Sequence, residues 1–264
     1  MLATARLLWA YRDFILGSAK REFQAKYRNS LLGATWTIIQ PLAMITIYTV
    51  IFSKLMHARL PGSNSTFAYS IYLCAGVITW GFFAEITSRS QAIFIENANL
   101  LKKINFPRLC LPLTLILSAS LNFAIIFSLF VIFLLITNQF PGWVFLAVLP
   151  VLAVQALFAT GLGMTLGVLN VFFRDIGQLF SVILQFWFWL TPIIYPVDIL
   201  PGSLQQLMQF NPMAAVIGAY QRILVSGLWP DWSTLWLPLA LGLALSWWGL
   251  KLFRQNAGEL VDEL

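Results

Sequence analysis

An all-α integral membrane protein with six transmembrane helices is the fold this chain predicts, and three observations carry that reading. Charge is scarce: only 10% of the 264 residues are charged, 59% are hydrophobic and mean hydropathy is +0.81, whereas a soluble domain carries ~25% charge. Residues 29–53, 60–84, 109–173, 176–197 and 232–250 hold no charged side chain. A bilayer core takes ~20 apolar residues per helix, so the 109–173 run holds two helices and each other run holds one. The sixteen Lys and Arg residues then divide thirteen to three between the two sides. The basic side is cytoplasmic by the positive-inside rule, which puts both termini there.

The chain reads as a single transmembrane domain (1–264), with no length left for a second globular unit. Residues 3–28 form an amphipathic helix before the first span. Leu7, Leu8, Tyr11, Phe14 and Ile15 fall at helical spacing, with Arg12, Asp13, Lys20 and Arg21 largely off that stripe. Such a helix lies in the membrane interface, basic face toward anionic headgroups. Its charges interrupt any apolar run of signal-peptide length, so no cleaved leader is expected.

The six-span core covers 32–253. Span 1 is Leu32–Leu55, with Pro41 inside it. Span 2 is Phe67–Ser88 and span 3 is Leu111–Ile136. The polar break at 137–142 turns the chain into span 4, Val144–Phe172. Span 5 is Gln178–Tyr195 and span 6 is Ser233–Phe253. Between the last two spans, 196–231 reads as a re-entrant or interfacial hairpin on the outer side. Its arms, Pro201–Met208 and Met213–Val225, are each too short to cross and are joined at Asn211-Pro212.

Several chemistries are missing. No Gly-Lys pair occurs, so there is no phosphate-binding loop, and neither a His-Glu-x-x-His nor a Gly-x-Ser-x-Gly motif is present. This subunit is therefore expected to be non-catalytic and to hold no cofactor. One histidine, His57, and two cysteines separated in depth, Cys74 and Cys110, make neither a metal site nor a disulfide. The deep polar residues Asn122, Gln155 and Gln185 are neutral. Glu85 has Arg89 four residues on, the spacing of a local helix pair. Proton or sodium coupling is thus poorly supported. Arg174 and Asp175 are expected to pair at the turn between spans 4 and 5, and Gly163-x-x-x-Gly167 to permit close helix approach.

Three segments break the apolar pattern. They are Lys20-Arg-Glu-Phe-Gln-Ala-Lys-Tyr-Arg-Asn-Ser-Leu-Leu-Gly-Ala-Thr-Trp36 with Gln40-Pro41, Asn97-Ala-Asn-Leu-Leu-Lys-Lys-Ile-Asn-Phe-Pro-Arg108, and Leu169-Asn-Val-Phe-Phe-Arg-Asp175 continuing to Leu190-Thr-Pro-Ile-Ile-Tyr-Pro196. In order, spacing and topology the chain resembles the permease subunit of type-2 ABC exporters for polysaccharides, the O-antigen, capsule and teichoic-acid group. The resemblance implies a homodimer in the bacterial inner membrane with two copies of a separate ATPase subunit, which binds ATP and Mg. It also implies export of lipid-linked polysaccharide, undecaprenyl-diphosphate-linked O-antigen in the first instance; nucleic acid has no place in it. Export of small amphiphiles by the same class of transporter is the alternative, and an ion-coupled carrier a more distant one.

Three groups of residues become candidates. Residues 97–103 suit a short coupling helix in which Leu100 and Leu101 form an apolar knob flanked by Lys102 and Lys103. The resemblance makes this segment, with Asn97, Asn99 and Phe106, the place where the ATPase acts. Lys26, Arg28, Lys102 and Lys103 gather cations at the inner entrance, where a diphosphate headgroup would arrive; topology alone also accounts for them. Trp36, Tyr48 and Phe52 of span 1 and Phe186, Trp187 and Trp189 of span 5 offer aromatic faces on which a sugar chain slides. The resemblance sets spans 1 and 5 along a pore between two copies.

Overall fold

The computed structural model describes residues 11–27, 33–55, 60, 65–103, 110–256 and 258–263. Their regular elements are helical. α1 is Arg12–Tyr27; α2 is Trp36–Thr49, running on into a π turn at Val50–Leu55; α3 is Ala68–Glu96 and α4 is Ala98–Lys103. α5 is Cys110–Ile136, α6 is Val148–Phe172 after a 3-10 turn, and α7 is Asp175–Trp189. α8 is Gly202–Met208, α9 is Pro212–Ser226, α10 is Trp236–Gln255 after a second 3-10 turn, and α11 is Glu259–Asp262.

Among the described residues, four segments are long and apolar enough to cross a membrane: Ala68–Glu96, Cys110–Ile136, Gly142–Phe172 and Trp232–Gln255. These correspond to expected spans 2, 3, 4 and 6. The other two are shorter. Span 1 is an apolar helix over Trp36–Phe52. Span 5 ends at Trp189 and not at Tyr195: α7 has 15 residues, about 22 Å at 1.5 Å per residue, less than a hydrocarbon core of ~30 Å. The chain beyond it, Leu190–Pro196, is a non-helical strap. Two prolines, Pro192 and Pro196, remove donors that a continuing helix would need.

α6 is the centre of the fold, packed between α10 and α3. Glycines set the spacing. A Cβ on Gly161 would sit 2.7 Å from the Ser246 backbone nitrogen of α10, and one on Gly167 would sit 2.5 Å from the Ser90 carbonyl of α3. In lipid, where apolar burial does little to hold helices together, such close backbone approach is a main source of association. The Gly163–Gly167 pair thus serves contact within the subunit, as Gly163 also faces Ser90.

Buried polar bonds tie the same layer. Gln155 of α6 is fully buried; its Nε2 donates to the Thr79 carbonyl of α3 at 2.6 Å, and its Oε1 accepts from the Tyr220 hydroxyl of α9 at 2.9 Å. α9 begins where Asn211 Oδ1 accepts from the backbone nitrogens of Met213 and Ala214, with Pro212 in the first turn, and ends at Gly227 in the left-handed region, φ 63°. The expected outer hairpin therefore has unlike arms. α9 is a core helix against α3 and α6, whereas α8 has no buried residue.

α1 packs along α5, with Ala19 buried and Tyr11, Phe14 and Ile15 turned to the core. The described part of the expected interfacial stripe thus meets protein; Leu7 and Leu8 lie outside the described residues. α2 buries only Thr37, Pro41 and Ile45, and α7 buries only Phe180.

Candidate functional site

We call the end of the bundle that carries α1, α4 and α11 the basic end. There Arg89 of α3 pairs with Glu22 of α1 and with Glu85 one turn back, Nη1 to Oε1 at 3.3 Å. The other Glu85 oxygen accepts from Asn122 Nδ2 of α5 at 2.8 Å. The expected Glu85–Arg89 pair is therefore the middle of a ladder that ties three helices. A cavity of about 370 Å³ adjoins it, lined in part by Phe14, Glu22, Arg89, Glu96 and Leu100.

Asn97 is the joint between α3 and α4. Its backbone nitrogen bonds back to the Ile93 carbonyl at 3.3 Å, and its own carbonyl accepts from Leu100 and Leu101 at 3.0 Å each. Its side chain donates to the Ile93 carbonyl at 2.8 Å, so Asn97 shapes the turn. The leucine knob points the other way from expectation. Leu101 is 6% exposed and Leu100 packs on the core, while Asn99 and Lys102 are exposed. The burial has a source the local pattern does not contain: α11, with Leu260 fully buried, packs against both α4 and α6. Arg28 and Phe106 lie outside the described residues, as do the side chains of Lys26 and Lys103.

The turn from α6 to α7 is held by Asn170. Its Oδ1 accepts from the Gly177 backbone nitrogen and its Nδ2 donates to the Gln91 carbonyl of α3, both at 2.8 Å. Arg174 and Asp175 make no ion pair with each other and are exposed. Asp175 instead lies in the first turn of α7, where the helix dipole favours an acid.

At the opposite end the strap Leu190–Pro196 is fixed through its main chain. The Tyr69 hydroxyl donates to the Ile194 carbonyl at 2.5 Å, and the Tyr72 hydroxyl lies 3.0 and 2.9 Å from the Pro192 and Tyr195 carbonyls. Gln221 Nε2 of α9 donates to the Pro192 carbonyl at 3.2 Å. Ile193 is fully buried over Gly76, where a Cβ would meet its carbonyl at 3.3 Å. Asn211 Nδ2 closes the base of the strap on Leu190 O and Thr191 Oγ1, at 3.2 and 3.1 Å.

The six aromatic candidates separate into groups. Phe186 and Trp189 are 65% and 60% exposed and Trp36 is 44% exposed. Tyr48 and Phe52 are half-buried and lead a ring series, Tyr48–Phe52 at 6.4 Å, Phe52–Tyr69 at 5.1 Å and Tyr69–Tyr72 at 6.2 Å, which ends at the strap. Trp187 faces inward. It meets Phe83 edge-on at 5.4 Å, lies 6.3 Å from Trp80 and from Phe158, and donates from Nε1 to Asn211 Oδ1 at 2.8 Å. Trp187 is thereby removed from the path candidates.

Sequence reading gave no role to Asn170, Tyr69, Tyr72 or Gln221, and it gave Asn211 only that of a hairpin joint. The available signal was polar residues inside otherwise apolar helices, with Tyr69 and Tyr72 one turn apart. Both cysteines are free and buried, as expected. Among the described residues no group of three metal-ligating side chains converges.

Comparison with known proteins fits this layout. Residues 15–225 match the ABC-2 type transporter family, and the chain belongs to that family. An O-antigen export system permease, RfbA of Myxococcus xanthus, is 27% identical over 266 residues, covering 100% of both chains. RfbA of Klebsiella pneumoniae is 29% identical with 81% of each chain covered. The polysialic acid transport protein KpsM of Escherichia coli is 23% identical over 78% of this chain and 79% of its own.

Proposed function

We propose that this chain is the permease subunit of an ATP-driven exporter that moves lipid-linked polysaccharide, undecaprenyl-diphosphate-linked O-antigen, from cytoplasm to periplasm. The observation that carries the reading is the end-to-end similarity to a permease named for O-antigen export. The working unit is a homodimer in the inner membrane with two ATPase subunits, which supply the ATP and Mg sites. The basic end faces the cytoplasm. The path runs at the seam between two copies, walled by the uncovered faces of α2 and α7, with Trp36, Phe186 and Trp189 in contact with the glycan and Tyr48 and Phe52 toward the exit.

The geometry supports this division of labour. Leu179, Val182, Ile183, Phe186 and Trp189 leave an apolar stripe on α7 with no covering element among the described residues, and such a stripe suits a second copy and a gliding sugar chain. On the basic side, Asn99 and Lys102 are the coupling-helix residues offered to the ATPase. Lys102, with Lys26, Arg28 and Lys103, receives the diphosphate headgroup.

The test is reconstitution of the chain with its ATPase partner in proteoliposomes loaded with lipid-linked glycan. ATP-dependent appearance of glycan on the far side is expected. Transport of small amphiphiles with the glycan left behind would replace the substrate assignment, and gradient-driven transport without the ATPase would end it.

A further inference from the structure

A second cavity lies at the strap end, between residues 196–198, one face of α9, the loop leading to α10 and Tyr72 of α3. Its volume is about 930 Å³, inside the range of ~300–1,000 Å³ typical of ligand sites. One wall is flat and apolar, made by Ala214, Ala215, Gly218 and Ala219 of α9. Gly218 faces open space, since a Cβ there meets nothing within 4 Å. Leu60, Val197 and Val225 add apolar surface, and polar groups edge it: Asp198, Thr234 and the ion-paired Arg222 and Asp231 at the rim, with the Gln221 amide and Tyr72 hydroxyl below. Gln221 and Tyr72 are 6% and 8% exposed and are fixed by their bonds to the strap, so the floor is rigid.

We propose that this cavity is a saccharide-binding site that holds an uncharged sugar unit of the exported glycan after it leaves the membrane path. A pyranose has one apolar C–H face and a ring of hydroxyls at its edge. The small-residue wall matches the first. Carboxylates, which accept, and amide and hydroxyl groups, which both donate and accept, match the second. A phospholipid fits less well. The described lining has two carboxylates and one guanidinium, which is already paired with Asp231, so among the described residues the charge balance does not favour a phosphate. The same balance disfavours a polyanionic glycan. The position adds a use: the floor is built from the residues that grip the strap following α7, so an occupied site bears on the end of the proposed path.

The inference rests on the polysaccharide reading above, and the experiment separates the two. The permease with its ATPase partner, in nanodiscs, is exposed to neutral maltotriose, mannotriose and galactotriose and to a sialic acid trimer, with contact read by saturation-transfer NMR. At least one neutral trisaccharide gives signal and the anionic one does not. Gly218→Trp, which fills open space and leaves the fold intact by size exclusion, weakens that binding about tenfold or more. Asp198→Ala, which removes a rim carboxylate without filling the cavity, weakens it in the same direction. The site is overturned by no neutral signal on the wild type, by signal unchanged in both variants, by equal signal from the sialic trimer, or by a co-purified phospholipid that Gly218→Trp expels. Polysaccharide export by the wild type alongside any of those results strikes this site alone, whereas absence of export strikes the functional proposal.

Discussion

The slab of α3, α6, α9 and α10 and the pair α2 and α7 are built on opposite terms. In the slab, backbones meet across glycines, and Gln155 joins three elements through buried hydrogen bonds. α2 and α7 touch that slab along one edge and leave Trp36, Leu42, Ile47, Phe186 and Trp189 uncovered. A glycine-packed contact has one arrangement, because its backbones have no side-chain slack to absorb a shift. A helix held along one edge has many. The contrast assigns stiffness to the frame and freedom to the helices proposed to wall the path.

Breaking the frame, or the Trp187 anchor that ties one edge of α7 to it, gives the largest effects. Trp187→Ala is expected to cost about 3 kcal/mol or more, as core truncations of large aromatics do, and to lower the melting temperature and the yield of monodisperse protein. An unchanged melting temperature would return Trp187 to the path. Gly167→Leu forces side-chain atoms into the Ser90 carbonyl and should cost up to ~3 kcal/mol through overpacking; the check is loss of the sharp size-exclusion peak in detergent. Gln155→Leu leaves the Tyr220 hydroxyl without its acceptor, at a cost of about 1–3 kcal/mol. Tyr220→Phe in the same background should recover part of it, and failure to recover any would separate the two residues. The smallest stability effect is expected from Phe186→Ala, within about 0.5 kcal/mol as for an exposed site. Glycan export should nevertheless slow. Normal export with a normal fold would erase the functional half of the contrast.

How far the sequence disclosed this architecture depended on the range of the forces involved. Span positions follow from uncharged run lengths, and helices at Ala68–Glu96, Cys110–Ile136, Val148–Phe172 and Trp236–Gln255 lie where those runs put them. Gly163 and Gly167 were legible because four-residue spacing is itself the cause of close approach. Trp187 was not. In an apolar helix, neighbours 186, 187 and 189 look alike, and the groups that turn Trp187 inward, Asn211 and the rings of Phe83, Trp80 and Phe158, lie elsewhere in the chain. Leu100 and Leu101 make the same point. Local pattern reads them as a knob for a partner, while α11, distant in sequence, covers the helix that carries them. Leu101→Asp would accordingly damage the permease itself, which leaves Asn99 and Lys102 as the informative positions for ATPase docking. The anchoring of the strap escaped sequence reading for a related reason: its acceptors are mostly carbonyls, which every residue has, and two of its donors, Tyr69 and Tyr72, lie more than a hundred residues away.

That choice of acceptors has a consequence for how such a protein changes over generations. Tyr69, Tyr72 and Gln221 grip main-chain oxygens and are indifferent to most of the side chains above them. Apart from buried Thr191 and Ile193, the two prolines and the bonded Tyr195, the strap can change side chains while its course across the bundle stays fixed. A segment secured in this way tolerates side-chain substitution at its remaining positions without any change in the scaffold beneath.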